Sequence, residues 1–414
     1  MQESPSKFFV FNYPEFKNFL LARFLFISML RMMGTVVGWL IYQLTKDPLS
    51  LGLIGLAEVI PAVSFALYAG HVVDITDKRT MLLRTMILFS FCATGLVIFS
   101  LPGFQKHFAT SAVVLCIYAV IFFTGIIRSF SGPAFSSVIA QLVPKELLPR
   151  AAAASSATWL IASIFGHALG GFMIAGFGYT ITFSAVTIII VSAVFVMTRI
   201  SSKPPSQKAG GKATWESVKE GLQFVWKTKD LLGAMSLDLF GVLFGGAAAL
   251  IPVFATDILK VGPIGFGWLN AATDIGSILI IFWLTIRPLR RRQGKILLYA
   301  VAGFGICIIA FGLSKWYLLS FIALLVSGIL DGISIVVRAT IMQLKTPNEM
   351  RGRVASVSSM FINSSNELGQ FESGVTAKLM GAVPAVIFGG IMTIIVASIT
   401  WFKAPALKNT EIGS

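Results

Sequence analysis

The sequence predicts an all-α integral membrane protein of twelve transmembrane helices, arranged as two parallel repeats of six. Three observations carry that prediction. Of the 414 residues, 56% are apolar and only 12% charged, and long charge-poor stretches recur almost end to end. Basic residues collect in alternate breaks between those stretches. The two halves of the chain also match one another at a constant offset.

A bilayer core takes about 20 apolar residues per helical crossing. Turn-forming, basic and Pro/Gly-containing breaks leave twelve stretches of that order, near 16–43, 51–73, 81–101, 110–141, 147–176, 179–198, 231–257, 264–287, 296–313, 317–343, 353–380 and 384–402. A soluble fold could not hide so many, because monomers tolerate exposed apolar patches of only a few hundred Å².

Lys7, Lys17, Lys78, Arg79, Arg84, Lys145, Arg150, the segment 199–229, Arg287, Arg290, Arg291, Arg292, Lys295, Lys345, Arg351, Arg353, Lys403 and Lys408 fall on one side of an alternating topology. The opposite side holds little more than Lys46, Lys106, Lys260 and Lys315. The positive-inside rule makes the basic side cytoplasmic, with both termini on it. Topology and anionic headgroups thus account for the formal charge of +15, without a nucleic-acid partner. No cleavable signal peptide is expected, since the first residues lack an apolar core ahead of the first span. Cys92, Cys116 and Cys307 lie within predicted spans and form neither a disulfide framework nor a metal-ligand spacing.

The most polar stretch, SSKPPSQKAGGK at 201–212, has the composition of a linker. It sets the expected organisation: a six-helix bundle over 1–200, a cytoplasmic linker over 201–230 and a second bundle over 231–414. Within the linker, 214–227 places Trp215, Val218, Leu222 and Val225 at helical spacing against Glu216, Lys219, Glu220 and Lys227. That pattern suits an amphipathic helix at the membrane surface or an ordinary linker helix. Shifting the chain by 203 residues brings Pro144 onto Pro347, Glu146 onto Glu349, Arg150 onto Arg353, Ser155 and Ser156 onto Ser358 and Ser359, Gly166 onto Gly369 and Gly171 onto Gly374. An even number of spans per repeat returns the chain to its starting side, so the repeats run parallel.

Four segments carry a resemblance. Gly70-His71-Val72-Val73-Asp74-Ile75-Thr76-Asp77-Lys78-Arg79 is similar to the loop signature Gly-x-x-x-Asp-Arg-x-x-Arg-Arg, with Ile75 where Arg usually follows the Asp. Arg128-Ser129-Phe130-Ser131-Gly132 is similar to the Arg-x-x-x-Gly pattern of proton-coupled exporters. Gly166-His167-Ala168-Leu169-Gly170-Gly171 looks like the antiporter signature Gly-Pro-x-x-Gly-Gly, with His167 in place of Pro. Asn366-Glu367-Leu368-Gly369-Gln370-Phe371-Glu372-Ser373-Gly374 completes the set. On these the chain resembles the major facilitator superfamily, in the branch of the enterobactin exporter and the macrolide efflux proteins. The resemblance implies the major facilitator fold, a bacterial inner-membrane location, a monomer and no cofactor. It further implies a gate loop at Gly70, Asp74, Lys78 and Arg79, and close helix packing at Gly166, Gly170 and Gly171.

An ionisable group at mid-span costs about 2.5–3.5 kcal/mol on insertion scales, which makes each one a functional hypothesis. Here they are Arg23, Arg31, Glu58, Arg128, Asp238, Asp274, Asp331, Arg338, Glu367 and Glu372. Spans three, six, nine and twelve, peripheral in a major facilitator fold, carry none near their centres. Glu367, Asp331, Asp238 and Glu58 are the expected proton-coupling carboxyls. Arg31, Arg128, Arg338, Asp274, Asn363, Gln370, Trp39 and Trp159 are the expected substrate contacts or counter-charges, with Tyr42 a further stacking partner. Asp331 and Arg338 share a helix face but stand about 10 Å apart along its axis, too far to pair directly. Structural pairing between helices is the alternative for any single one of these charges, while His167 reads as a hydrogen-bonded packing residue, with a proton relay as the alternative.

No Gly-x-x-x-x-Gly-Lys-Ser/Thr phosphate loop is present, which removes primary transport. The expected function is secondary active transport by alternating access: proton-coupled export of an amphipathic small molecule such as a siderophore or drug. Import of a small organic anion or metal chelate, lipid flipping and a membrane enzyme are the alternatives.

Overall fold

The computed structural model describes residues 10–203, 214–287, 289, 292–347 and 350–410, without the side chains of Leu67, Asp74, 214–218, Ser356 and Asn363. The expected linker core at 204–213 and the side chains of Asp74 and Asn363 therefore lie outside the described residues. Among the described residues there is no strand. The principal helices are α1 (Pro14–Thr45), α2 (Pro48–Ile75), α3 (Lys78–Ser100), α4 (Thr110–Val138), α5 (Leu148–Thr198), α6 (Thr214–Lys227), α7 (Lys229–Gly245), α8 (Gly262–Ile286), α9 (Gln293–Leu313), α10 (Tyr317–Lys345), α11 (Arg351–Met380) and α12 (Ala382–Lys403).

Among the described residues, ten segments are long and apolar enough to cross a membrane. One of them, Lys145–Thr198, spans 54 residues. At 1.5 Å per residue this is about 80 Å of helix, more than twice a bilayer core. It is interrupted at Gly178, whose φ of 74° no ordinary L-residue adopts cheaply. The break falls between the two stretches expected at 147–176 and 179–198. α11 is not among the ten, since Arg351, Arg353, Glu367, Glu372 and Lys378 make it the most polar of the long helices.

The stretch expected as one span over 231–257 falls within a single span-length segment, Lys229–Ile258, whose helix is irregular inside it. α7 ends at Gly245, followed by a 3₁₀ turn at Ala247–Leu250 and a π-helical turn at Phe254–Ile258. The physical cause is the Gly245-Gly246 pair, which weakens the helix, together with Pro252, which lacks the N–H an uninterrupted helix needs.

Packing divides the chain into two compact units. Unit 1 is Met1–Val37 with Ile60–Lys212, and unit 2 is Gly38–Val59 with Ala213–Ser414, so the later part of α1 and the earlier part of α2 belong to the second. In unit 1, α3 packs on α4 and α5. In unit 2, α8 packs on α10, α9 on α10 and α12, and α7 on α11 and α12. α6 docks on α11 through Val225 with Val354 and Val357, while Trp226 on its other side is exposed. The Arg353 to Glu220 ion pair joins the same two helices.

The internal repeat is visible in the packing. A Cβ on Gly166 would come within 2.4 Å of the Ser28 carbonyl, so α5 meets α1 there backbone to backbone. Its counterpart Gly369 would bring one within 2.9 Å of the Leu243 carbonyl, where α11 meets α7. Equivalent glycines thus close equivalent helix pairs, as small residues do in membranes. Gly369→Val is expected to cost about 1–3 kcal/mol through overpacking, read as a lower unfolding temperature in detergent.

Large apolar side chains remain exposed on the outer helices, among them Phe91 on α3, Phe123 on α4, Ile188 on α5, Phe282 on α8 and Phe402 on α12. In a membrane they meet acyl chains instead of water.

Candidate functional site

Unit 2 gathers the buried carboxyl groups. Asp238 on α7 pairs with Arg338 on α10, and both side chains are largely removed from solvent. Arg338 is further held by donation from its Nε to the Ser334 carbonyl at 3.3 Å. Asp238, Asp331 and Ser334, with Gly241 and Phe304, line a small cavity inside this unit. Its volume of about 20 Å³ suits a single water and no organic substrate. Asp331 has the Asp274 carboxyl of α8 as its charged neighbour. The expectation that Arg338 does not reach Asp331 along their own helix is compatible with this arrangement, in which its partner comes from a different helix.

A second polar group forms where α2 crosses α11. A Cβ on Gly52 would meet the Gly374 backbone at 2.9 Å, and one on Gly55 would meet the Glu367 carbonyl at 2.5 Å. Glu367 is 8% exposed, and its carboxylate accepts a 2.9 Å hydrogen bond from the Gln370 amide. Glu58 lies three residues beyond Gly55, on the next turn of α2, and is half-buried. Glu372 is also half-buried, and Asn366 is turned outward.

In the same unit, Tyr42 donates to the Asp257 carboxylate within the π-helical turn, and Gln43 donates to the Thr256 hydroxyl at 3.3 Å. Lys378 pairs with Asp47 at 3.0 Å. Trp39 is buried and packs its ring 5.1 Å from that of Phe266. Both aromatics expected as stacking partners on α1 thus have protein partners already. The Tyr42–Asp257 contact escaped sequence reading because nothing in the local pattern marks a π-helical turn.

Unit 1 holds cations. The Arg31 guanidinium lies 4.8 Å from the Trp159 ring centroid and that of Arg23 lies 5.3 Å from Phe135. Among the described residues, the Nε atoms of both arginines are buried with no hydrogen-bond partner. Thr35 donates its one proton to the Arg31 carbonyl at 2.9 Å, so it accepts from His167 Nδ1 at 2.7 Å. That assignment puts the His167 proton on Nδ1. Arg128 is half-buried on α4.

The loop after α2 is tied down within unit 1. Lys78 is fully buried, with its ammonium donating to the Val73 carbonyl, and Arg79 donates to the Thr198 carbonyl at 2.8 Å. Asp77 caps α3, accepting from the Thr80 N–H at 2.7 Å and from the Ser202 hydroxyl at 2.6 Å. Burial pushes the Asp77 carboxyl up, but the hydrogen bonds from Ser202 and Thr80 outweigh it and hold it below the usual carboxylate range. The stability that this cap adds is present above the unfolded-state pKa and is lost as pH falls through the lowered folded-state value. A carbon at Gly70 would find open space, and Gly170 lies against Thr35 and Met32 of α1.

A family model described as transmembrane secretion effector matches residues 15–413. The multidrug efflux pump Tap of Mycolicibacterium fortuitum is 24% identical over 390 residues, covering 91% of this chain and 92% of its own. The enterobactin exporter EntS of Escherichia coli O6:K15:H31 (strain 536 / UPEC) is 23% identical over 416 residues, covering 97% and 96%. A crystal structure of a D-xylose–proton symporter superposes with a TM-score of 0.71 at 13% identity, over 96% of this chain and 99% of that one, which speaks to the fold alone.

Proposed function

The chain belongs to the transmembrane secretion effector family of major facilitator transporters, a family of multi-pass membrane proteins and not of enzymes, and from that premise we propose that it is a proton-coupled exporter of amphipathic small molecules. It works by alternating access in a bacterial inner membrane, as a monomer with both termini cytoplasmic, and needs no cofactor. Its helices make twelve crossings when the two limbs of α5 are counted separately and α11 is included. The two bundles of 1–200 and 231–414, joined by the 201–230 linker, are the rocking halves, and Gly70, Asp74, Lys78 and Arg79 form a cytoplasmic gate. Export of drugs or of a siderophore-like compound follows the names of the relatives, the efflux pump Tap and the enterobactin exporter EntS.

The observation that carries the proton coupling is the concentration of membrane-embedded carboxyls in unit 2: Glu58, Asp238, Asp274, Asp331, Glu367 and Glu372, against the single cation Arg338. So large an excess of acid over base leaves carboxyls that can exchange a proton as their surroundings alternate between wet and dry. Glu367, Asp331, Asp238 and Glu58 are assigned that role. Arg338 is the counter-charge, and Asp274, Asn363 and Gln370 shape the surrounding polar site.

The test is proton movement in proteoliposomes loaded with a pH-sensitive dye and challenged with macrolides, catechol and hydroxamate siderophores, and small organic anions. Substrate-dependent proton flow opposite to substrate is the expected result. Substrate movement with no proton flow would remove the coupling, and flow in the same direction would make the protein an importer.

A further inference from the structure

We propose that unit 1 carries a binding subsite for a planar organic anion, built by the Arg31 guanidinium on the Trp159 ring and seconded by Arg23 on Phe135. It rests on the export reading above and narrows the substrate to one charge class. The ionisable groups are sorted by unit. Glu3, Glu15, Asp74, Asp77 and Glu146 are all the acidic residues of unit 1, and of these the described Glu15, Asp74, Asp77 and Glu146 lie at helix ends or in loops. Its helix interiors hold Arg23, Arg31, Arg128 and His167 instead.

An arginine buried in a membrane is normally answered by a carboxylate. Among the described residues neither Arg23 nor Arg31 has an ion pair, and each is packed on an aromatic ring. Stacking uses the face of the guanidinium and leaves its in-plane N–H donors, which is the geometry that takes a carboxylate or phenolate. Among the described residues, the buried Nε of each arginine has no acceptor.

Arg31 sits where α1 and α5 pack closely. A Cβ at Gly166 would reach 2.8 Å from the Arg31 Cβ, and Trp159 stands seven residues earlier on the same face of α5. The Thr35 to His167 hydrogen bond ties the two helices together at the same level. One turn beyond Arg31, Gly34 is exposed, with nothing within 4 Å of where a Cβ would sit. Past Leu21 it is the only exposed residue of α1. A cationic compound finds no carboxylate in the interiors of this unit's described membrane helices to receive it.

The experiment compares pyrenecarboxylate, pyrenemethylammonium and pyrenecarboxamide, one ring in three charge states, binding to the full-length protein in lipid nanodiscs. The carboxylate is expected to bind about tenfold tighter than the other two. Arg31→Gln should erase that preference while leaving the carboxamide affinity in place, and Arg31→Lys should keep only part of it. Melting curves check that each variant folds. Should Arg31→Gln fail to fold, Arg31→Lys and Trp159→Ala carry the test, both weakening the carboxylate alone. Equal or tighter binding of the ammonium, an unchanged carboxylate preference in the folded variants, or no carboxylate binding by the wild type would each overturn the subsite. Gradient-driven efflux of the ammonium or carboxamide compound without anion preference would remove the subsite and leave export standing. Absence of driven movement for every compound tested would remove the export reading itself.

Discussion

Arg338→Met is expected to destabilise the protein by about 3–5 kcal/mol, because it strands the Asp238 carboxylate inside unit 2 with no cation to face it. Asp238 is 7% exposed, and the Leu237 and Gly241 positions around it are buried, so water cannot easily take the place of the guanidinium. The double change Asp238→Leu with Arg338→Met removes both charges together. It should recover most of the loss, since a buried ion pair replaced by apolar groups of similar volume is often neutral. Unfolding in detergent reads both results. A single variant within about 1 kcal/mol of wild type would mean that the pair is not a fixed part of the folded state. Proton flux in the recovered double variant separates structure from mechanism: a stable protein without coupling assigns the pair to transport.

Glu367→Gln should bring substrate-dependent proton flow down to the background leak while leaving the fold intact. The replacement is nearly isosteric, and its amide oxygen can still accept from Gln370, which now stands 2.9 Å from the carboxylate. The α2–α11 crossing is made by the Gly55 contact with the Glu367 backbone and does not depend on the carboxyl. The capacity to take up and release a proton is lost. Wild-type proton flow in this variant would move the role to Asp331 or Glu58, and a lowered melting temperature would reveal a structural role instead.

Much of the architecture could be read before any coordinates. The apolar stretches at 81–101, 296–313 and 384–402 coincide within a few residues with α3, α9 and α12, because in a bilayer every backbone polar group must be satisfied within its own helix. The offset that pairs Gly166 with Gly369 was legible too, since close backbone approach tolerates no side chain and so leaves a mark in composition. The break at Gly245-Gly246 was less visible: the segment stays apolar through it, and hydropathy does not report helix continuity.

The candidate site was legible as a roster of charges and not as a set of partners. Arg338 could be judged unable to reach Asp331 from helix geometry alone, but its pairing with Asp238 depends on how α10 lies against α7, a hundred residues away in the chain. Trp39, Tyr42 and Trp159 look alike as aromatic residues on inward helices. Only packing distinguishes them: Trp39 lies against Phe266, Tyr42 is bonded to Asp257, and Trp159 sits under Arg31.

The sequence by itself determined that this is an all-helical membrane protein, where its helices fall and that its halves repeat, because the solvation of apolar side chains and backbone amides is a local property of each segment. The tertiary structure alone decided which charges answer one another, because electrostatic energy in a low-dielectric interior depends on distances that no linear pattern records.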